Sequence, residues 1–359
     1  VIFRRIWERY FLREILKIFF LFIFCFYGIY ILIDFSSRSA THYAGKFSLG
    51  EMIKLYGFIF VQRMDILISF ALIVAGVKTL CSLNIRNEIV ALMSSGVKLK
   101  RLMRPFIFVA LSLVALMYVN EQFFQPIAFR HINFLKDKHM DDNTHLDLER
   151  NIQSLEVEDG GELVYHGYDS ARESFFDVYW IKDINEIFRI KYLYPHEGIP
   201  RGRFVDHFER SQDGELLLVE SEETHDFHSM RFHPDRLRQS IVNPRQESIT
   251  SLWQHLPSKQ TALDDTGART LTSFYHKLLM PWLCLLAIIG PAPYCLRFTR
   301  ELPVFMIYLV SMITLVTFYL IMNSAMIIGE NQVFPPFIAI GLPFAAYGAF
   351  FGWKYWKMG

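Results

Sequence analysis

The sequence predicts an α-helical membrane protein with six transmembrane helices and an all-β domain inserted between the third and the fourth. Three observations predict it. Of 359 residues, 52% are apolar, 20% are charged and 34 are Phe, for a mean hydropathy of +0.22; soluble chains carry ~25% charge. The apolar residues are clustered, and Leu302–Ile328 runs for 27 residues without a charge, where a membrane span needs ~20. The charge is segregated too: Arg130 to Arg269 holds 17 Lys+Arg against 27 Asp+Glu, a net of −10, and the remainder nets +11. A basic apolar part carries an acidic middle. That excludes a wholly soluble enzyme, and it argues against nucleic acid as a partner because phosphate binding needs the opposite sign.

The spans follow in order. Ile18–Ile33 is uncharged and follows Arg4, Arg5, Arg9, Arg13 and Lys17. The small residues Ser36–Ala40 behind it resemble a cleavage region, but Asp34 and the long aromatic run argue for a retained span. Leu55–Val77 is apolar except for Gln62, Arg63 and Asp65, and Phe106–Phe124 carries one charge, Glu121. Leu278–Leu296 contains Pro281, Gly290, Pro291 and Pro293; Leu302–Ile328 is the cleanest; Val333–Trp353 contains Pro335, Pro336 and Pro343. Such Pro and Gly are tolerated where neighbouring helices re-satisfy the backbone, which points to a packed bundle.

Lys and Arg on the short connections orient the spans. Five precede the first span, six lie between the second and third (Lys78, Arg86, Lys98, Lys100, Arg101, Arg104), and Arg297, Arg300, Lys354 and Lys357 follow on the same side. The opposite side has Arg38, Lys46 and Lys54, and its last connection has none. Both termini are therefore expected in the cytoplasm and the acidic middle outside. The domains read as 1–129 with three spans, 130–270 as the β domain and 271–359 with three more spans.

Within the middle, Glu162–His166, Ser174–Lys182, Glu186–Tyr194, Arg203–Arg210 and Glu215–Glu220 read as strands, separated by turn residues such as Asp159-Gly160-Gly161 and Asp213-Gly214. The spacing suggests a sandwich or barrel. Gln246–Thr270 reads as polar linker with a short helix. The four cysteines, Cys25, Cys81, Cys284 and Cys295, lie in or beside apolar segments without C-x-x-C spacing, against a disulfide framework or a thiolate metal site. His225, His228 and His233 read as a solvated strand edge rather than a metal site, so no cofactor or metal is expected. No phosphate-loop, H-E-x-x-H or G-x-S-x-G motif occurs; any ATP hydrolysis belongs to another chain.

One connection stands out. In residues 84–97, Ile85, Ile89, Leu92, Met93 and Gly96 fall on one helical face, and Gly96 terminates the helix. A short amphipathic helix between two spans rests on lipid or docks an apolar ridge into a partner's groove. Here the sequence resembles a known family: Asn87-Glu88-Ile89-Val90-Ala91-Leu92-Met93-Ser94-Ser95-Gly96 is similar to the N-E-x-x-A-L-x-A-x-G coupling-helix motif of the LptF/LptG lipopolysaccharide export permeases. His276 to Pro281 is similar to the family's entry to its fourth span, and Gly329–Pro336 to the loop before its sixth. Ser94 and Ser95 depart from the usual Arg/Ala-type residues. The run Ile33-Asp34-Phe35 followed by Arg38 looks somewhat more like the G member.

The resemblance implies a jellyroll-like periplasmic β domain, a bacterial inner-membrane location and a permease subunit of an ABC-type transporter. The implied partners are a cytosolic ATPase dimer, a second homologous permease, a periplasmic jellyroll bridge protein and lipopolysaccharide. It assigns Glu88, Ala91, Leu92 and Gly96 to ATPase coupling. Helix rise sets Arg63 ~22 Å outward of Lys78 and Arg38 ~31 Å outward of Lys17. A lipid phosphate would sit at that depth, and the guanidinium fork suits it. Lys46 and Lys277 are further phosphate candidates, and an internal Arg63–Asp65 pair is the alternative for Arg63. The competing function is a scaffold that transmits an ATPase's motion to the exterior domain without a lipid path. Asp65 alone does not make an intramembrane hydrolase.

Overall fold

The structure, a computed structural model, describes residues 5–38, 48–139, 153–157, 161–169, 174–195, 199–211, 215–228, 230, 244–256, 265–297 and 302–358. The chain divides into two compact units, 1–135 with 245–359, and 136–244. Six helical stretches of the first unit are long and apolar enough to cross a membrane: Ile6–Ser37, Met64–Ile85, Arg104–Ile132, Gly267–Cys295, Val304–Glu330 and Pro336–Trp356.

The first three stretches are built from α1 (Ile6–Arg38), α2 (Leu49–Gln62), α3 (Met64–Ile85), α4 (Glu88–Ser94), α5 (Leu99–Leu102), α6 (Arg104–Val119) and α7 (Gln125–His139). Two features depart from the sequence reading. The expected span Leu55–Val77 is not one helix: α2 ends at Arg63 (φ −95°, ψ 7°), where α3 begins. No Pro or Gly makes the break. Instead the side-chain amide of Asn120 donates to the Val61 carbonyl at 3.2 Å, giving a helix-end acceptor an outside partner. The third span runs past Phe124 to Ile132, through a π-helical turn at Asn120–Phe124.

The second half holds α8 (Ile249–Gln254), α9 (Asp265–Leu279), α10 (Leu283–Ile289), α11 (Ala292–Cys295), α12 (Val304–Glu330) and α13 (Pro336–Trp356). The fourth span begins at Gly267, well before the expected Leu278, because amphipathic α9 joins it through a 3₁₀ turn at Met280-Pro281-Trp282. The proline locks φ and lacks an amide hydrogen, so a tighter turn there leaves no orphan donor. The core of this unit centres on α3, from Ile68 to Leu83, packed against Phe106 and Met117 of α6, Leu283 and Ile288 of α10, and Phe318 of α12. A Cβ at Gly76 would lie 2.8 Å from Ile288, so that glycine sets the closeness of the α3–α10 crossing. By contrast α1, α12 and α13 leave much apolar surface exposed, including Phe20, Phe24, Phe305, Leu320 and Phe337.

The second unit holds one antiparallel sheet of six strands among the described residues: β1 (Gln153–Glu156), β2 (Glu162–Asp169), β3 (Ser174–Asp183), β4 (Glu186–Tyr194), β5 (Arg201–Arg210) and β6 (Leu216–Asp226), in linear order. Five were expected. β1 escaped because Gln-Ser-Leu-Glu has a single apolar residue. Period-two alternation builds the buried face. Leu163 pairs with Trp180 and Tyr165 with Val178; Trp180 and Val178 pair onward with Phe188 and Ile190, and Ile190 with Val205. All seven are buried, and Phe227 and Met230 join them. Cross-strand pairs of this aromatic and β-branched kind contribute ~0.2–1 kcal/mol each.

Candidate functional site

In the connection between the second and third spans, the helix is shorter and more sharply bounded than the expected stretch 84–97. α3 continues to Ile85, and Asn87 takes a left-handed conformation (φ 59°) that turns the chain into the seven-residue α4. Asn tolerates that region better than other side chains. Gly96 (φ 85°) ends the helix: its amide donates to the Met93 carbonyl at 2.9 Å, and that of Val97 to Leu92 at 3.1 Å. This is a Schellman closure.

The predicted apolar ridge turns inward. Ile89 is buried, and Leu92 and Met93 pack against the core of their own chain, while Ile85 belongs to α3 and is exposed. The outward face carries Val90, Ala91, Ser94 and Ser95. Glu88, in the first turn, lies 4.0 Å from Arg86 and accepts a long 3.4 Å hydrogen bond from Tyr10 of α1. The root of this connection is fastened by Asn84, whose amide donates to the carbonyls of Cys295 and Arg297.

At the other end of the unit the structure assembles a polar cluster that sequence reasoning did not. Lys277 of α9 is buried. Its ammonium lies 3.0 Å from Glu121 and donates to Gln125 Oε1 and the Glu247 carbonyl, both at 2.8 Å. The two charged side chains are 6% and 8% exposed. Two of its donors are thus spent on neighbours within the bundle and its charge faces Glu121, whose carboxylate would be stranded if the ammonium met a phosphate. Residues 244–256 are tied down nearby: Arg245 makes a bidentate pair with Glu330 at 2.8–2.9 Å, and Gln122 exchanges two hydrogen bonds with Thr250. Glu121 and Lys277 were each visible as charges in apolar runs; that they meet was not, since they lie far apart in the chain.

The other basic candidates are spread out. Arg63 is exposed at the α2–α3 break, and among the described residues no ion pair joins it to Asp65. Ser69 and Tyr319 donate to the Asp65 backbone carbonyl. Arg38 is the last residue of α1; its side chain, and Lys46 altogether, lie outside the described residues. So does His233. His225 pairs with Glu222 at 2.7 Å, and no group of His, Cys, Asp or Glu able to hold a metal occurs among the described residues.

The exposed edge strand β6 presents Leu216, Leu217, Leu218 and Val219, 45–57% exposed. At its far end Arg201 donates two hydrogen bonds to Asp226, holding that carboxyl below its ordinary range and raising its own guanidinium.

Comparison with curated proteins gave no match. Comparison with protein families gave one along nearly the whole chain: the family described as lipopolysaccharide export system permease LptF/LptG matches residues 9–357.

Proposed function

The chain belongs to the LptF/LptG lipopolysaccharide export permease family, and from that premise we propose how its parts divide the work. As a permease subunit of an ABC-type transporter it moves lipopolysaccharide out of the inner membrane and leaves ATP hydrolysis to a partner chain. Its termini and α4 face the cytoplasm and its sheet the periplasm, a reading supported by the Lys/Arg counts. There α4 is the element that meets a cytosolic ATPase dimer.

The observation that carries this assignment is the way α4 is held. It is a short helix stopped at both ends by left-handed residues and packed by Ile89, Leu92 and Met93 on its own core. It therefore moves with α3. The partner's groove receives Ala91 with Val90 and Ser94, flanked by Glu88; Leu92 and Gly96 act from behind by seating and ending the helix. Ala91→Asp should abolish copurification of the ATPase while span insertion is unchanged, and Glu88→Ala should weaken it. Normal copurification with Ala91→Asp would sink the assignment.

The remaining assignments rest on charge and exposure. Arg38, Lys46 and Arg63 are the basic groups offered to lipid A phosphates at the outer side, and Lys277 is assigned to internal support. A second, homologous permease pairs through the apolar surfaces of α1 and α12. The sheet forms part of a jellyroll-like domain whose β6 edge, the outer one among the described residues, passes lipopolysaccharide to a periplasmic bridge of similar fold, since an apolar edge is a template for another strand. Photocrosslinking to lipopolysaccharide tests the lipid path: Arg63→Ala should lower the yield by ~10-fold or more, the loss of one charged hydrogen bond.

A further inference from the structure

The first unit contains an apolar cavity of about 660 Å³ between α10, α12 and α13, walled by Ala287, Ile307, Leu315 and Phe318 and bounded at one end by Tyr294 and Phe350. Two cations converge on that end. Lys354 donates to the Tyr294 hydroxyl, and its ammonium lies 4.7 Å from the centre of the Tyr294 ring and 4.5 Å from that of Phe350. The Arg297 guanidinium lies 5.3 Å from the same Tyr294 ring. The two charges are therefore at most ~10 Å apart, about one Debye length, and among the described residues neither forms an ion pair with a carboxylate. Cations that merely anchor a helix end spread into the interface; these two lie over the rings of Tyr294 and Phe350, which line the pocket. An anion between them would relieve their repulsion.

We propose that this cavity binds an anionic glycerophospholipid, with one acyl tail inside and its phosphate between Arg297 and Lys354. The volume supports one occupant class. At ~30 Å³ per water-sized group, 660 Å³ holds about 20 methylene-sized units, which matches one ordinary tail better than the several tails of lipid A. The site lies at the end of the bundle where Asn84 holds the Arg297 carbonyl, beside the root of α4. It thus rests on the topology given above for its leaflet, the cytoplasmic one, but not for its chemistry.

The test uses the full chain, with whatever copurifies, in nanodiscs containing a phosphatidylglycerol probe with a photoreactive tail. Adducts are expected on residues 283–297 and 304–318, competed by unlabelled phosphatidylglycerol better than by lipopolysaccharide. Arg297→Gln/Lys354→Gln should lower their yield tenfold or more, the loss of one or two charged contacts. Ser311→Phe, which fills the pocket and leaves both charges, should lower it too. Yield unchanged in the charge variant, or probe displaced preferentially by lipopolysaccharide, would overturn the proposal. So would a photoreactive amino acid at position 306 that captures a protein chain instead of lipid. Because adducts form on either side of the membrane, inverted topology would leave them intact and show instead in the labelling of Ser211→Cys.

Discussion

The Lys277–Glu121 pair sets the clearest expectation for a single residue. Removing one member of a buried ion pair leaves an uncompensated charge and costs about 3–5 kcal/mol, whereas removing both costs far less. Lys277→Met should therefore lower the thermal stability of the detergent-solubilised protein sharply, and Lys277→Met/Glu121→Gln should recover much of it. Equal losses in the single and double variants would show that the pair is not coupled. Gly96 is a second case. A Cβ there meets nothing within 4 Å, so the cost of Gly96→Ala is the left-handed backbone alone, ~1–2 kcal/mol. Hydrogen exchange over 88–97 should quicken in that variant and stay near the parent in Gly96→Asn. At Asp226 the sign follows from the hydrogen bonds of Arg201: the folded value lies below the ordinary 3.8. The pair supports the fold at neutral pH, and that support is lost as pH falls through the folded value. Asp226→Asn should blunt the acid sensitivity of Trp180 fluorescence, and only slightly, since both partners are exposed.

At the scale of elements, spans and strands were legible because each is a run of one period. Uncharged stretches mark the spans, and alternation marks β2 to β5, which supply the buried face; β6 is legible only as an apolar run and buries none of its residues. What escaped was set by partners distant in sequence. Nothing local in Gln62-Arg63-Met64 breaks a helix; the Asn120 amide on another span does. Of the expected ridge, Ile89, Leu92 and Met93 share a face of α4, while Ile85 belongs to α3 and Gly96 lies past the helix; periodicity cannot tell whether such a face meets another chain or its own. Here the core of the same chain takes it, and the outward face carries the small residues Val90, Ala91, Ser94 and Ser95. Leu92→Asp should accordingly lower stability as well as coupling, whereas Ala91→Asp should spare stability. The basic candidates divided similarly: Arg63 stays exposed, while Lys277 finds its partners inside.

At the scale of the whole molecule, α1, α12 and α13 leave apolar surfaces exposed that a membrane-spanning bundle offers to lipid or to another subunit. Disulfide trapping between cysteines placed at Phe24 and Leu320 of two subunits would detect pairing through α1 and α12. On the sheet, Leu217→Lys/Val219→Lys charges the β6 edge as natural edge strands are charged. It should reduce capture of a periplasmic jellyroll partner severalfold with the ATPase still bound.

The π turn at Asn120–Phe124 has one more consequence. Inward residues through it are Met117, Asn120 and Glu121, then Gln125, Ala128, Ile132 and Leu135. A π turn winds one residue more than an α turn, and here it does so at Asn120–Phe124. Deleting the exposed Phe123 would make the series an unbroken α-helical stripe. The third span thus carries a surplus residue, absorbed within one turn. A deletion that would ordinarily swing everything beyond it by ~100° should here leave α7 facing as before. Glu121 would then stand four positions after Met117 and three before Gln125, on the same stripe, so this shortened chain should insert normally and keep the pairing of Glu121 with Lys277.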